Sequence, residues 1–537
     1  MHIKIILLSL LVLLWIAFGQ SDSGTKKIYL FYTNDLHGGI TEQEADFLNP
    51  NFPPLLGGGA SAANIIFQYR DQAAKEGNIV LLLDAGDIFQ GTPIGTQTAG
   101  KAVIDYMNLV GYDAVTAGNH DFDLGKEVFI DLTRQANFPI LSANLLDKTT
   151  GDHFSYIKPY ILLERGGLKI GVFGITTKAT EQMSFPKHIE GLQFSEEIPA
   201  AQAAVDSLRA MGADLVIGVV HLGLPYDPEA GYSAMMEAKQ RGQIRQSYVN
   251  AMEMAHYVQG IDILLGGHIH RGYNEPWVDP VNHTLVFQNY GNGGNLGLAI
   301  LEIDQRTRTI AGYDLPATDS GLLLLTQDQF WPHQEIYASI KKVQEEIEKG
   351  YDEVLGITEY PLTRGQGEAP LNNLICDAMI AATGADFSFT NFGGIRAEIQ
   401  LGAITPRDIF KVLPFGNSIV VLHLQGSFLY QLIENKITGN RSGLAIGGGR
   451  IIYEREREDG DKITSFFIGQ QPLDPDKTYR VATTDYLAEG NSGMADLAEL
   501  PQQFVDNSGI LLRDALSQYI RQQSPLRVKT DGRWQRK

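Results

Sequence analysis

The sequence predicts two domains: a layered α/β domain in the first half of the chain and a smaller domain in the second half. Three observations indicate this fold. The chain has 537 residues, which is more than one ordinary hydrophobic core holds. From residue 28 to about residue 314, apolar strand candidates alternate with helical stretches, as in layered α/β domains. From about residue 355 the chain has strands and motifs of its own, without the polar strand ends of the first half.

Composition and charge narrow the classes of function. The chain is 44% hydrophobic and 20% charged, as soluble globular proteins are. Its formal net charge of −20 argues against nucleic-acid polymers and anionic membrane surfaces as partners, because both carry the same sign. A phosphorylated substrate would therefore need local positive charge from metals and arginines. The single cysteine, Cys376, excludes an intrachain disulfide and lies in an apolar stretch that predicts a buried thiol.

The N-terminal segment is typical of a signal peptide. Lys4 precedes an apolar run over residues 5–18, and the small residues Ala17 and Gly19 predict cleavage after residue 19. A retained membrane anchor is the alternative, but the run is shorter than the ~20 residues that a membrane-spanning helix needs. We therefore expect an exported protein that is periplasmic, extracellular or associated with the cell surface. No further membrane-spanning segment is expected.

Most predicted strands of the first half lead into polar turns that suit a metal. Strands are predicted over residues 28–32, 79–83, 114–117, 168–175, 215–220 and 263–267, and helices over residues 60–77 and 199–212. Candidate ligand or proton-transfer residues follow five of these strands; in chain order they are Asp35, His37, Asp87, Asn119, His120, Asp123, His221, His268 and His270. In open α/β sheets ligands bind beyond the carboxyl ends of the strands, so these residues are expected to converge on one site.

A structural interpretation competes at each of these positions. A single histidine after a strand is more often structural than a ligand, and an Asn-His-Asp turn such as residues 119–121 often only bonds nearby backbone. Five such placements by accident are very unlikely, which favours a metal site.

An amphipathic helix is predicted between the two halves. Ile336, Ile340, Val343 and Ile347 fall on one helical face, and Gly350 suits the end of the helix. We interpret residues 331–354 as a linker between domains. The alternative is that this helix only packs on the first domain.

A glycine-containing turn in the second half is a candidate substrate-binding segment. In residues 391–396, Asn-Phe-Gly-Gly-Ile-Arg, the glycines allow the backbone to approach a ligand and Arg396 offers a fork of donors suited to phosphate. The alternative is a glycine turn with a surface arginine.

These motifs together resemble those of the calcineurin-like metallophosphoesterases, whose pattern reads D-x-H, G-D, G-N-H-[DE], a lone H, and G-H-x-H. Every piece is present in order. Within that superfamily the chain resembles the secreted bacterial 5′-nucleotidase family, which includes UDP-sugar hydrolases and 2′,3′-cyclic-nucleotide phosphodiesterases. The resemblance covers nearly the whole mature chain. It implies a layered αββα metallophosphoesterase domain over residues 27–330, the linker helix over residues 331–354, and a smaller α+β substrate-binding domain over residues 355–537.

The resemblance also implies a role for each candidate residue. Two divalent metal ions are expected, and their mixed nitrogen and oxygen ligands permit Zn²⁺, Mn²⁺ or Fe. Asp87 would bridge the two ions, with Asp35, His37 and His270 completing one shell and Asn119, His221 and His268 the other. His120, oriented by Asp123, would assist the leaving oxygen without binding metal.

The same family places the nucleotide in the second half. Arg396, in the segment that contains Asn391 and Gly394, would reach the phosphate. Phe415 and Tyr486 lie in two further glycine-containing segments that match the family and would sandwich the base, with packing in the core as the alternative for each ring. Two positions depart from the family pattern. Ser492 stands where the family commonly has an aspartate for the ribose hydroxyls, and the second phosphate arginine, Arg364, is offset by about one residue from its usual spacing.

The expected activity is hydrolysis of nucleoside 5′-monophosphates to nucleoside and phosphate. A 2′,3′-cyclic-nucleotide phosphodiesterase or a nucleotide-sugar hydrolase that uses the same metals is the alternative within enzymes. A surface protein that only binds nucleotides is a more remote alternative. It is disfavoured because a binding protein has no need of His120 and Asp123.

Overall fold

The computed structural model describes residues 25–45, 47–49, 52–241, 249–317, 319–437 and 444–537. The predicted signal peptide, residues 1–19, lies outside the described residues. Within these ranges no helix is both long and apolar enough to cross a membrane.

Two β-sheets form the centre of the first half. In spatial order the first sheet contains Thr309–Asp314, Asn295–Asp304, Thr25–Thr33, Ile79–Asp84, Ala114–Thr116 and Ile140–Leu141, and Leu322–Leu324 also pairs with Asn295–Asp304. The second sheet contains Trp277–Val278, Leu285–Gln288, Ile263–Gly266, Leu215–His221, Leu168–Thr176 and Tyr160–Arg165. The strands that precede the candidate site residues pair in parallel within their own sheets, so their carboxyl ends point in one direction.

Helices cover the outer face of each sheet. The helices of this half are Gly58–Glu76, Pro93–Gln97, Lys101–Val110, Lys126–Gln135, Thr180–Met183, Glu197–Ala210, Pro228–Gln240 and Ala251–Tyr257. One apolar core lies between the sheets and joins residues such as Leu30 and Val172, while two others lie under the helices on the outer faces. The predicted αββα layering is therefore confirmed. The two helices predicted for this half begin two residues earlier than expected and end one and two residues earlier, at Gly58–Glu76 and Glu197–Ala210.

The amphipathic helix between the halves runs over Gln334–Ile347. Ile336 and Ile340 are buried and belong to the core of the first half, so the helix packs on that half. Directly after it, Glu348 forms an ion pair with Arg407 of the second half. The segment thus contacts both halves.

The second half has its own sheets and its own core. A five-stranded mixed sheet contains, in spatial order, Ala445–Gly447, Phe387–Thr390, Thr478–Thr484, Ser418–Gln425 and Val505–Leu511, and a four-stranded sheet contains Gln471–Pro472, Ile463–Ile468, Gly449–Tyr453 and Trp534–Arg536. Its helices are Pro370–Thr383, Pro406–Val412, Gly426–Ile437, Asp485–Ala488, Ala495–Ala498 and Leu512–Gln523. Short two-stranded pairs join Gly356–Thr358 to Gly402–Ile404 here, and Gln43–Glu44 to Leu55–Leu56 and Leu192–Phe194 to Leu145–Asp147 in the first half.

The hydrophobic cores follow the division between the halves. The core clusters of the first half reach Ile340 among their buried residues, and those of the second half begin at Leu355. Cys376 lies in the second half on the buried side of Pro370–Thr383, and burial raises the pKa of its thiol to about 12. The prediction of a buried thiol is confirmed.

Candidate active site

The ends of parallel strands bring all seven predicted metal residues to one place. Asp35 and Asp87 follow strands of the first sheet, and His221 ends a strand of the second. Because the two sheets stack with these strand ends on the same side, their turns face each other. The side chains form two groups whose ligand atoms lie within 4.8 Å of one another: Asp35, His37 and His270; and Asp87, His221 and His268.

The first group is built around two imidazoles. Nε2 of His37 lies 3.0 Å from Nε2 of His270, and the latter atom lies 3.7 Å from Oδ1 of Asp35. Nδ1 of His37 donates to the carbonyl oxygen of Gln90 at 2.6 Å, which leaves Nε2 as the nitrogen with a lone pair. Nitrogen and carboxylate lone pairs therefore converge on a small volume, as a divalent cation requires.

The second group adds an amide oxygen. Oδ1 of Asn119 lies 3.0 Å from Nε2 of His221 and 2.9 Å from Nδ1 of His268, and the two histidine nitrogens are 3.2 Å apart. His221 donates from Nδ1 to the carbonyl oxygen of Ala85 at 2.8 Å, so its Nε2 faces the group. This donor set also fits a cation with mixed nitrogen and oxygen ligands.

Asp87, a member of the second group, also faces the first group. Its Oδ2 is 3.2 Å from Nε2 of His221 and 3.7 Å from Nε2 of His37. Its other oxygen, Oδ1, accepts a hydrogen bond from the backbone N–H of His120 at 2.8 Å. Oδ2 of Asp87 thus faces both groups, while the hydrogen bond to Oδ1 fixes the orientation of the carboxylate.

Burial sets the protonation of these residues. Burial lowers the pKa of His37 and of His268 to about 3 and lowers that of His270 still further, so these three imidazoles are neutral at neutral pH. A histidine must be neutral to bind a metal. Burial alone would lower the pKa of His221. The nearby Asp87 carboxylate has the larger effect, however, and the pKa is raised to about 10. A cation that binds His221 would therefore displace a proton.

The backbone is strained at five of the seven predicted metal residues. Positive φ angles occur at Asp35 (50°), His37 (48°), Asp87 (58°), His268 (75°) and His270 (56°). Non-glycine residues in the left-handed region are uncommon and cluster at functional sites, where the strain helps to aim side chains. Gly118 is required for a steric reason, because a Cβ at this position would lie 2.2 Å from Oδ1 of Asp87.

His120 and Asp123 form a pair beside both groups. Nδ1 of His120 lies 2.7 Å from Oδ2 of Asp123, and His120 belongs to neither group of ligand atoms. Burial alone would lower the pKa of His120. The carboxylates of Asp123 and Asp87 have the larger effect, however, and the pKa is raised to about 9.

One arginine of the second half reaches the same site, and a second arginine lies beside it. Nη2 of Arg396 lies 3.3 Å from Nε2 of His270. Arg364 donates from Nη1 to the carbonyl oxygen of Ile395 at 2.6 Å, and its charge adds to burial in lowering the pKa of Arg396. The offset of Arg364 in sequence therefore does not keep the two guanidinium groups apart. Asn391 packs on the glycine turn, where a Cβ at Gly394 would lie 3.2 Å from its Oδ1.

The predicted base-binding aromatics lie in different surroundings. The ring of Phe415 stacks on His120 with centroids 5.1 Å apart and planes 19° apart, and the Arg396 guanidinium lies 5.8 Å from its centroid. Tyr486 lies in the short helix Asp485–Ala488, which precedes the turn that contains Ser492, and its carbonyl oxygen accepts from Nδ2 of Asn491 at 2.9 Å. Ser492 has a φ of 54°, and its carbonyl oxygen accepts from Lys436. The rings of Phe415 and Tyr486 do not stack on each other.

Two family models match the chain in the order of its two halves. The calcineurin-like phosphoesterase model matches residues 30–272, which contain both ligand groups, and the 5′-nucleotidase C-terminal domain model matches residues 353–499, which contain Arg396, Phe415 and Tyr486. The chain belongs to the 5′-nucleotidase family of calcineurin-like phosphoesterases. It is a phosphoester hydrolase.

Relatives of this 5′-nucleotidase family member match it over nearly their whole length. Protein UshA of Yersinia enterocolitica is 28% identical over 536 residues, covering 95% of this chain and 94% of UshA. The 5′-nucleotidase of Bos taurus is 29% identical over 561 residues, covering 95% of this chain and 91% of the relative. The crystal structure of a 5′-nucleotidase precursor from Thermus thermophilus has a TM-score of 0.80 at 26% identity, covering 95% of this chain and 99% of that structure.

One supporting residue of this 5′-nucleotidase family site is missed by sequence reasoning. The buried carboxylate of Asp121 accepts from the backbone N–H groups of Gly118, Asp87 and Ile88 at 2.8, 3.2 and 2.8 Å. It therefore ties the turn that carries Asp87 to the turn that carries Asn119. Its place within the Gly-Asn-His-Asp-Phe-Asp motif is a signal that could have identified it. The role of each predicted ligand stays a prediction.

Proposed function

We propose that this chain hydrolyses nucleoside 5′-monophosphates to nucleoside and phosphate with two divalent cations. One observation carries the proposal: side chains of the second half contact a ligand-group residue and the neighbouring His120 of the first half. Nη2 of Arg396 lies 3.3 Å from Nε2 of His270, and Phe415 stacks on His120. A phosphate bound by Arg396 would thus also face the cations, with an aromatic ring nearby for its base.

The cations would be held by the seven strand-end residues. Asp87 would be shared, with Asp35, His37 and His270 on one side and Asn119, His221 and His268 on the other. Such ions supply the positive charge that lowers the pKa of water and stabilises the oxygens of the reacting phosphate. The neutral imidazoles and the second carboxylate, Asp35, would already point their lone pairs towards the cations before substrate arrives. The mixed donors are compatible with Zn²⁺, Mn²⁺ or Fe.

His120 would act on the leaving oxygen. Asp123 holds Nδ1 at 2.7 Å, which leaves Nε2 as the hydrogen-bonding atom available to substrate. Donation from Nε2 would stabilise the alkoxide as the phosphate ester bond breaks. Asp123 would fix the ring and balance its charge.

The second half would bind the rest of the nucleotide. Arg396 and Arg364 would bind phosphate oxygens, since two neighbouring guanidinium groups suit a doubly charged anion. Asn391 and Gly394 would line the same turn. The base would stack on Phe415 and Tyr486, and Ser492 would face the ribose as a neutral acceptor.

The proposed domain boundaries follow from these roles: residues 27–330 for the metallophosphoesterase domain, 331–354 for the linker and 355–537 for the substrate-binding domain. The separate cores of the two halves support this division.

We further propose that the chain is exported, because residues 5–18 form an apolar run after Lys4. Sequencing the N-terminus of the mature protein tests export, and a chain that keeps residue 1 would contradict cleavage after Gly19.

A substrate panel tests the proposed activity. The metal-loaded protein is assayed with nucleoside 5′-monophosphates, 2′,3′-cyclic nucleotides, a nucleotide sugar and glycerol 2-phosphate, which has no ring. We expect the highest kcat/KM with the 5′-monophosphates and release of inorganic phosphate. A preference for the cyclic nucleotides or the nucleotide sugar would contradict the proposal and favour the corresponding relative in the family.

Removing either base-stacking ring is expected to affect nucleotides alone. Phe415→Ala and Tyr486→Ala should each cost ~1–3 kcal/mol of transition-state stabilisation with AMP, or about 5- to 150-fold in kcat/KM, because one base stack is lost. Glycerol 2-phosphate offers no ring, so its kcat/KM measures damage to the metal centre. Equal losses on both substrates would make these rings structural and would contradict their role in base binding.

A further inference from the structure

A short segment of the first half lies against the helix that contains Tyr486 and the turn that follows it. The ring of Phe185 approaches Tyr486 edge to face, with centroids 5.9 Å apart and planes 87° apart. Nζ of Lys187 lies 3.9 Å from Oε1 of Glu489 in the same turn. Residues 184–188, which we call the clasp segment, therefore contact the second half at two points.

The clasp segment is also attached to the catalytic turn. Oγ of the buried Ser184 donates to the carbonyl oxygen of Asn119 at 3.5 Å. The ring of Phe185 packs edge to face on His188, with centroids 5.1 Å apart. His188 in turn approaches the glycine that follows the catalytic motif, since a Cβ at Gly125 would lie 3.6 Å from its ring. The segment thus links the turn of Asn119, His120 and Asp123 to Tyr486.

The two contacts of the clasp segment differ in strength. Lys187 and Glu489 are 68% and 35% exposed, and an exposed ion pair contributes little. Phe185 and Tyr486 are only partly exposed, and a perpendicular aromatic pair adds attraction beyond the area that it buries. Phe185 is therefore the residue through which the segment would act.

We propose that Phe185 is a positioning residue for nucleotide hydrolysis, which holds Tyr486 in the orientation that stacks the base when the two halves face each other. The inference rests on the proposed nucleotide substrate. Phe185 belongs to the domain that holds the phosphate at the metals, and Tyr486 belongs to the domain that holds the base. Because these two residues touch, Tyr486 is held in place for base stacking only when the two halves are arranged so that the phosphate also lies at the metal centre.

Specificity constants for AMP and glycerol 2-phosphate test this role in the full-length, metal-loaded protein. Phe185→Ala is expected to lower kcat/KM for AMP about three- to ten-fold, which is the range for one aromatic pair, and to leave glycerol 2-phosphate within two-fold. Phe185→Tyr, which keeps the ring, should restore the AMP value. The matched control is Phe52→Ala, because the Phe52 ring is 82% exposed and its loss should change neither substrate.

A double variant shows whether Phe185 acts through Tyr486. If it does, Phe185→Ala in the Tyr486→Ala background lowers kcat/KM for AMP no further than Tyr486→Ala alone. A further drop by the same factor would overturn the inference, as would an unchanged Phe185→Ala variant or equal losses on both substrates. A wild-type chain that does not prefer AMP to glycerol 2-phosphate would overturn the proposed function and this inference with it. Wild-type preference with an unaffected Phe185→Ala variant would overturn the inference alone.

Discussion

Replacing Asp87 with alanine is expected to abolish phosphate release and to remove bound metal. Oδ2 of Asp87 lies 3.2 Å from Nε2 of His221 and 3.7 Å from Nε2 of His37, one in each ligand group. A carboxylate in this position neutralises charge between two cations. Its loss weakens both sites and leaves two positive ions facing each other at short range. The variant should therefore lose metal as well as turnover.

Elemental analysis of the purified Asp87→Ala variant, together with phosphate release from AMP, measures both effects. Asp87→Asn is the second variant, because it keeps the size of the side chain and an oxygen that can accept from the backbone N–H of His120. Asp71→Ala removes an exposed carboxylate that belongs to neither ligand group and serves as the matched control, with full metal content and activity expected. Full occupancy of two metals in Asp87→Ala would contradict the bridging role.

Replacing His120 with asparagine is expected to keep both metals and to lower turnover roughly 10²–10⁴-fold, the usual contribution of a positioned acid or base. The reason is its position: His120 belongs to neither ligand group, and Asp123 holds its ring at 2.7 Å. The backbone N–H of His120 also donates to Asp87, and this hydrogen bond survives the substitution.

Metal content and kcat for AMP, measured on the same preparation, distinguish the two possible roles of His120. Asp123→Asn is the companion variant, since it removes the charge beside His120 while leaving the ring, and it should lose less turnover than His120→Asn. If His120→Asn lost a metal ion, His120 would have to be reassigned as a ligand.

The sequence predicts that the candidate ligand residues converge, because this follows from the common direction of the strands that precede them. Parallel strands place their carboxyl ends at one edge of a sheet, so Asp35 and Asp87 meet wherever their strands pair in parallel. The layered fold is predictable for a related reason, since buried parallel strands are continuous apolar runs that helices must cover. Helix ends are less predictable, because Gly58–Glu76 begins at glycines rather than at a side-chain cap.

Contacts between distant segments leave no local signal. The periodicity of Gln334–Ile347 identifies an apolar face but does not say which half that face contacts; the structure places Ile336 and Ile340 on the first half. The edge-to-face pair of Phe185 and Tyr486 joins positions about three hundred residues apart, and nothing in either neighbourhood predicts it. The left-handed backbone at His268 and His270 likewise depends on surrounding structure that holds a strained conformation.

Titration of the metal-stripped protein with Zn²⁺ or Mn²⁺ tests the two-cation centre most directly. Bound metal per chain and phosphate release from AMP are followed together at each addition. The two ligand groups predict negligible release without metal, and activity that rises until two ions are bound per chain. Full activity in the metal-free protein, or activity that saturates with a single bound ion, would contradict the two-cation centre.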